Sequence, residues 1–249
     1  MGTGTIKRFT DRAQLSRAAA KEVVRTAAQA IDVRDRFSVA LSGGSTPQYL
    51  YQLLAEPPLR QQIIWGKAEV FWGDERAVPP EHADSNYRMA RDTLLCRVDS
   101  PDTQIHRMPA ERKDLENAAW DYQVEIARVF GIDPDAEPPR LDIVLLGLGA
   151  DGHTASLFPY TEALKEETRW VVSNYAPSLD SYRLTMTTRI LNHARHVMFL
   201  VAGEDKADAL RQVLEGPANP NRLPAQLIRP EQGELTWFVD EPAASKLSG

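Results

Sequence analysis

Short apolar runs that fail to alternate, each broken off at a glycine, constrain this chain more than any other feature. Phe37–Leu41 runs into Ser42-Gly43-Gly44, Ala68–Trp72 into Gly73, and residues 141–146, the most apolar stretch, into Gly147. A strand with one wet face alternates apolar and polar residues; a strand covered on both faces does not. Runs this short and bounded by glycine are read as buried strands. Helical patterns lie between them. Leu15, Ala18, Ala19, Val23, Ala27 and Ala30 share one face of residues 11–31. Leu115, Ala118, Ala119, Tyr122, Ile126, Val129 and Phe130 share one face of another helix, which Gly131 stops. Residues 85–95 and 205–214 also read as helices, and Pro47 suits the first turn of one that follows the first glycine loop. Residues 170–172, 183–186, 197–201 and 235–239 complete the strands. This alternation predicts a doubly wound α/β fold, a mainly parallel sheet with helices on both faces. In such sheets ligands bind beyond the carboxyl ends of the strands, so the residues just after each strand are read for chemistry.

Composition narrows the classes. The 249 residues are expected to form a single domain, 1–249, because residues 133–139, the one linker-like stretch, are short enough to be a surface loop. Lys and Arg number 29 against 35 Asp and Glu, so the formal charge is 29 − 35 = −6. Without a basic block, no nucleic-acid partner is expected. No apolar run approaches the ~20 residues that span a bilayer, so no membrane partner is expected either. Residues 1–10 lack the apolar core of a secretory signal, and one lone cysteine, Cys96, fits a reducing cytoplasm. Cys96 lies in an apolar helical context and is expected in the core rather than as a nucleophile. Ser245-Lys246-Leu247 is followed by Ser248 and Gly249, so it is read as chance rather than as a terminal targeting signal. A monomer or small homo-oligomer is expected.

Three loops carry the chemistry. The first is Ser42-Gly43-Gly44-Ser45-Thr46-Pro47. Adjacent glycines let backbone approach an anion, and a following helix start offers free N–H groups. Taken alone it reads equally as a tight turn with a Ser/Thr cap. It is not a Walker loop, because no Gly-Lys-Ser/Thr follows. The second is Gly73-Asp74-Glu75-Arg76; two acids and an arginine at a strand end form either a polar site or a solvated loop with an internal ion pair. The third runs from Gly147 through Gly149, Asp151, Gly152 and His153 to Thr154. Its Gly-x-Gly-x-x-Gly matches the dinucleotide fingerprint, but Pro159 comes too soon for the helix that fingerprint requires, and Glu166 and Glu167 lack a preceding strand. A dehydrogenase is therefore the weakest reading. Asp151 two residues from His153 places a carboxylate where it can orient an imidazole, the usual general base near neutral pH. No Gly-x-Ser-x-Gly elbow, His-Glu-x-x-His or cysteine metal cluster is present. His193 and His196 flank a helix-to-strand turn and are expected at the surface, not on a metal.

Together these loops resemble one family. Val39 to Pro47, Trp72 to Val78 with Asp84-Ser85-Asn86-Tyr87, Leu146 to Pro159, Arg183 to Thr187 and Gly203 to Ala207 carry the likeness over nearly the whole chain. The chain is similar to the glucosamine-6-phosphate isomerase/6-phosphogluconolactonase family, Rossmann-like in fold as are glucosamine-6-phosphate deaminase and ribose-5-phosphate isomerase. Deaminases resemble Ile-Ala-Phe-Asn-Glu-Pro after Asp-Gly-His, with a glutamate that assists ring opening. Here Leu157-Phe158 stand at the Asn-Glu places, which matches the lactonase pattern.

The resemblance implies hydrolysis of 6-phospho-D-glucono-1,5-lactone to 6-phospho-D-gluconate in the oxidative pentose phosphate pathway. It implies that Ser42, Gly43, Gly44, Ser45 and Thr46 hold the substrate phosphate, joined by Arg183 and Lys206. It implies His153 as the base toward water. Asp151 orients His153 or meets a sugar hydroxyl, Arg76 stabilises the oxyanion or helps with the phosphate, and Asp74 meets hydroxyls. No cofactor and no metal is implied; the partner is a small sugar-phosphate lactone. Two alternatives stand beside this: glucosamine-6-phosphate deamination, and a non-catalytic sugar-phosphate-binding regulator domain. The missing glutamate weighs against the first. The retained His153 and Asp74 weigh against the second.

Overall fold

The computed structural model describes residues 4–248. In chain order, β1 (Thr5–Phe9) and α1 (Arg12–Arg34) lead to β2 (Phe37–Leu41), α2 (Ser45–Leu54), β3 (Ala68–Trp72) and β4 (Asp74–Arg76). Then come α3 (Asn86–Thr93), α4 (Leu115–Phe130), β5 (Ile143–Leu146), β6 (Val171–Ala176) and β7 (Ser181–Met186). The chain ends with α5 (Thr188–His193), β8 (His196–Val201), α6 (Ala207–Glu215), β9 (Glu234–Asp240) and α7 (Glu241–Ala244). Among the described residues no helix is long and apolar enough to cross a membrane.

The large sheet has six strands in the order β1-β9-β8-β5-β2-β3, and every pairing in it is parallel. Every residue of β2 and of β8 is buried. Successive side chains point to opposite faces, so both faces of the sheet are covered. This is why the apolar runs do not alternate. The chain leaves β2 toward β3 on one side and resumes with β5 on the other side of β2. That reversal is the topological switch point, and it opens a crevice beyond the carboxyl ends of β2 and β5.

Helix boundaries follow local chemistry. Asp11, Ser85 and Asp114 accept from the amides of Gln14, Arg88 and Asn117 and so cap α1, α3 and α4. Gly131 ends α4 in the left-handed conformation. The polar stretch before α4 thus supplies its cap. A contiguous apolar cluster runs from Leu15 to Ala244 and takes in Val171, Leu184 and Met186 of the second sheet. Burying a side chain such as Phe71 or Leu145 contributes ~1.5–3 kcal/mol.

Several expectations are corrected. Residues 170–172 and 183–186 are strands, but they lie outside the parallel sheet. With β4 they form a three-stranded antiparallel sheet, β4-β7-β6. Their outer ends are polar and half wet, with Tyr175 and Tyr182 exposed, which is the signature of a sheet covered on one face only. Asp74–Arg76, read as a loop, is β4. The edge strand β1 has no apolar run to announce it. Cys96 is exposed, because α3 stops at Thr93 and a 3-10 turn over Leu95–Arg97 breaks the helical face. His196 is buried rather than at the surface, and His193 is half-buried. Met1 to Thr3, within the stretch read for a secretory signal, and Gly249 lie outside the described residues.

Candidate active site

At the switch point a cleft of about 430 Å3 is lined by residues from both sheets. Its floor is the loop after β2. Ser42 is buried, and its Oγ has no hydrogen-bond partner among the described residues. Gly44, at φ 105°, caps α2 with no side-chain cap bond, and Pro47 has no N–H to give. The Ser45 and Thr46 amides are thus left as free donors at the positive end of a helix. The loop is held from below. Tyr51 is fully buried; its hydroxyl accepts from the Ser42 N–H at 2.9 Å and donates to the Ser42 carbonyl at 2.9 Å. Burial pushes this phenol well above its ordinary value. Tyr122 of α4 does the same for the end of β3. It accepts from the Trp72 N–H at 2.9 Å and donates to the His106 carbonyl at 3.0 Å.

One wall is the pair β4 and β7. Their antiparallel register sets Asp74 opposite Thr185 and Arg76 opposite Arg183. Arg76 and Arg183 both line the cleft, and neither has a carboxylate partner among the described residues. Directly opposed like charges repel, so the pair asks for an anion between them. Burial, and then the Arg76 charge, press the Arg183 guanidinium below its ordinary value. Asp74 is buried; its Oδ2 accepts from the Ser156 hydroxyl at 2.6 Å, and its carbonyl accepts from Asn86 Nδ2 at 2.9 Å. Glu75, on the opposite face of β4, is not a site residue. It accepts from the Asn86 N–H at 2.8 Å, the Tyr87 N–H at 2.7 Å and the Ser85 hydroxyl at 3.1 Å, and so docks the start of α3. Burial raises its carboxyl against the pull of these bonds. The solvated ion-pair loop that these residues allowed does not occur.

The other wall is the loop after β5. His153 Nδ1 lies 2.5 Å from Asp151 Oδ1, and the His153 N–H donates to the same oxygen at 3.1 Å. Nε2 makes no bond to the described residues. Burial works against the Asp151 carboxylate, but the bond and charge of His153 outweigh it and hold the carboxyl below its ordinary value. The ring packs on Phe158, with centroids 4.4 Å apart. A glycine is required at 149: a Cβ there would stand 2.1 Å from His153 Nδ1 and 2.7 Å from Asp151 Oδ1. No helix follows Gly152, so the dinucleotide pattern lacks its structural context.

Ten of the eleven expected residues line this one cleft: Ser42, Gly43, Gly44, Ser45, Thr46, Asp74, Arg76, His153, Arg183 and Lys206. Asp151 does not line it and reaches it only by its bond to His153. Lys206 sits 3.0 Å from Asp205, which also lines the cleft. Tyr51 goes unnoticed in the sequence, and Asn86, Ser156 and Phe158 stand there only within the stretches that carry the resemblance, with no contact assigned to them, because each depends on the shape of the loops. Leu157 and Phe158, at the Asn-Glu places of deaminases, are buried apolar residues. His196 faces the Thr236 hydroxyl at 3.0 Å, far in sequence from any ligand cluster. Among the described residues no group of three or more His, Cys, Asp or Glu is placed to hold a metal.

The chain is similar to known proteins over most of its length. A 6-phosphogluconolactonase of Synechocystis sp. is 45% identical over 219 residues, covering 88% of each chain. One of Nostoc sp. is 44% identical over the same share of each. The solved structure of 6-phosphogluconolactonase from Trypanosoma cruzi superposes with a TM-score of 0.87 at 32% identity, over 100% of this chain and 99% of that one. A monomeric glucosamine-6-phosphate deaminase, 23% identical with a TM-score of 0.80 over 97% of this chain and 99% of that one, shares the fold. Residues 10–237 match the family described as glucosamine-6-phosphate isomerases/6-phosphogluconolactonase, and to that family this chain belongs.

Proposed function

We propose that this chain hydrolyses 6-phospho-D-glucono-1,5-lactone to 6-phospho-D-gluconate, a step of the oxidative pentose phosphate pathway. One observation carries the reading: a single cleft is lined by His153, backed by Asp151, on one wall, and by the Ser42–Thr46 loop and two arginines without carboxylate partners on its floor and opposite wall. The substrate has that polarity, an activated ester at one end and a phosphate at the other.

Asp151 accepts the His153 Nδ1 proton, which leaves Nε2 with its lone pair free. Nε2 takes a proton from water as the water oxygen bonds to lactone C1. The carbonyl electrons move onto oxygen, and backbone N–H groups of the 149–152 loop or Arg76 steady that charge. The C1–ring oxygen bond then breaks, and Nε2 returns the proton to the departing oxygen, giving the open acid. Asp151 stays ionised throughout and steadies the imidazolium. The Ser45 and Thr46 amides, the unpaired Ser42 hydroxyl, Gly43, Gly44, Arg183 and Lys206 hold the phosphate. Asp74, fixed by Ser156, meets the sugar hydroxyls.

Residues 1–249 act as one domain in this reading, supported by the apolar cluster common to both sheets. A reducing cytoplasm is the expected place of work, supported by the single cysteine, and a monomer or small homo-oligomer is the expected form. The test offers three substrates to the purified chain. The phosphorylated lactone should open well above its spontaneous rate and unphosphorylated gluconolactone much more slowly. Ammonia release from glucosamine 6-phosphate with no gain on the lactone would overturn the proposal.

A further inference from the structure

A second cleft, of about 260 Å3, lies at the opposite end of the large sheet, where β2, β5 and β8 begin. Four arginines line it: Arg34, Arg36, Arg140 and Arg195. Two carboxylates share the lining, and both are already occupied. Asp142 Oδ2 accepts from the Ser38 N–H at 2.8 Å and the Ser38 hydroxyl at 2.9 Å, while Oδ1 meets Arg34 at 2.7 Å and Arg195 at 3.4 Å. Glu137 is turned outward to Arg189 at 3.2 Å.

Arg36 and Arg140 therefore have no carboxylate among the described residues. Backbone carbonyls hold them instead. Arg36 donates to the Val129 carbonyl at 2.9 Å and lies 4.3 Å from the Phe130 ring centre. Arg140 donates to the carbonyls of His193 at 3.3 Å and Gln232 at 2.7 Å. A carbonyl orients a guanidinium without neutralising it. Arg195 Nε is buried, and its contact with Asp142 Oδ1 at 3.4 Å is an ion pair without hydrogen-bond geometry. Burial and the Arg34 and Arg140 charges press its guanidinium below the ordinary value.

Four cations, less Asp142 and Glu137, leave a surplus of two positive charges on guanidinium groups fixed in place, Arg36 and Arg140 by neutral carbonyls alone. Planar forks of this kind match phosphate oxygens. The volume lies below the ~300–1,000 Å3 of sites that enclose drug-sized ligands, so it suits a phosphate on a small body. Ile132 and Pro139 offer that body an apolar shelf. We propose that this cleft is a second anion site, separate from the catalytic one, which takes the dianionic phosphate group of a small phosphorylated metabolite.

Calorimetric titration of the whole chain with inorganic pyrophosphate tests it. Two equivalents should bind, one in each cleft. The double variant Arg183→Ala/Lys206→Ala should retain one. Arg140→Gln should lose the other, with affinity down at least about tenfold, while its thermal transition stays cooperative. Arg36→Gln reports from the opposite side of the cleft and guards against a disturbance of the Gln232 loop by the first variant. A single equivalent in the unaltered chain would overturn the proposal. So would two equivalents at unchanged affinity in both Arg36→Gln and Arg140→Gln, or an equal effect of chloride at matched ionic strength.

Discussion

His153 and Gly149 illustrate how tightly single residues are specified. The imidazole occupies the space a side chain at 149 would need, so Gly149→Ala has to move the ring or Asp151. A misplacement of ~1 Å in a reacting group can cost ~10²-fold, so Gly149→Ala is expected to lose kcat on that order while remaining folded. Steady-state rates with far-ultraviolet circular dichroism check both halves. Lys206 and Arg183 bear on the other end of the substrate. Lys206→Ala should chiefly raise KM for the phosphorylated lactone and leave the unphosphorylated one alone. An equal loss on both would show that Lys206 does not read the phosphate. His153 and Gly149 are legible in the sequence because they sit just after a strand, in a loop whose chemistry is local, whereas Arg183, inside β7, and Lys206 come only from the resemblance. The contacts of Ser156, Asn86 and Phe158 are not legible, since they depend on which loop ends up beside which. Cys96 is exposed because the helical pattern does not continue past the end of α3, and His196, read as a turn residue, is instead the first residue of the buried strand β8.

At the level of elements, strand ends are pinned by tyrosines from helices. Tyr51 in α2 grips Ser42 by both its backbone groups, and Tyr122 in α4 grips Trp72. Tyr51→Phe strands a buried N–H and a buried carbonyl, which should cost ~1–3 kcal/mol by urea unfolding. It should also raise KM more than it lowers kcat, because it loosens the phosphate loop and leaves His153 in place. A variant with lowered stability and unchanged KM would make Tyr51 a packing residue only. The parallel strands were legible because burial on both faces writes an unbroken apolar run. β1 and β4 were not. β1 is an exposed edge strand, and all three residues of β4 are charged, with Asp74 and Arg76 toward the cleft and Glu75 toward α3. Neither leaves a hydrophobic pattern to read.

The whole molecule places its chemistry where the sheet reverses direction, and the second sheet serves as a wall for that crevice. The fold class was legible at this scale, but the split into two sheets was not, because pairing partners far apart in sequence leave no periodic trace. Stability as a whole should depend on pH through His196. Burial holds this histidine below its ordinary value of 6.5, so the folded chain keeps it neutral. The unfolded chain binds the proton more readily. The stability is therefore complete above about pH 6.5 and falls as pH drops through that value. Urea midpoints between about pH 8 and pH 5 should decline, and the decline should flatten in His196→Gln.

In the proposed function one cleft joins a general base to a phosphate seat for lactone opening. Its most direct measurement generates the lactone in situ with glucose-6-phosphate dehydrogenase and reports the acid with excess 6-phosphogluconate dehydrogenase. The unaltered chain should exceed the spontaneous rate, and His153→Ala should lose at least ~10² in kcat with KM little changed. A His153→Ala rate near that of the unaltered chain would contradict the account.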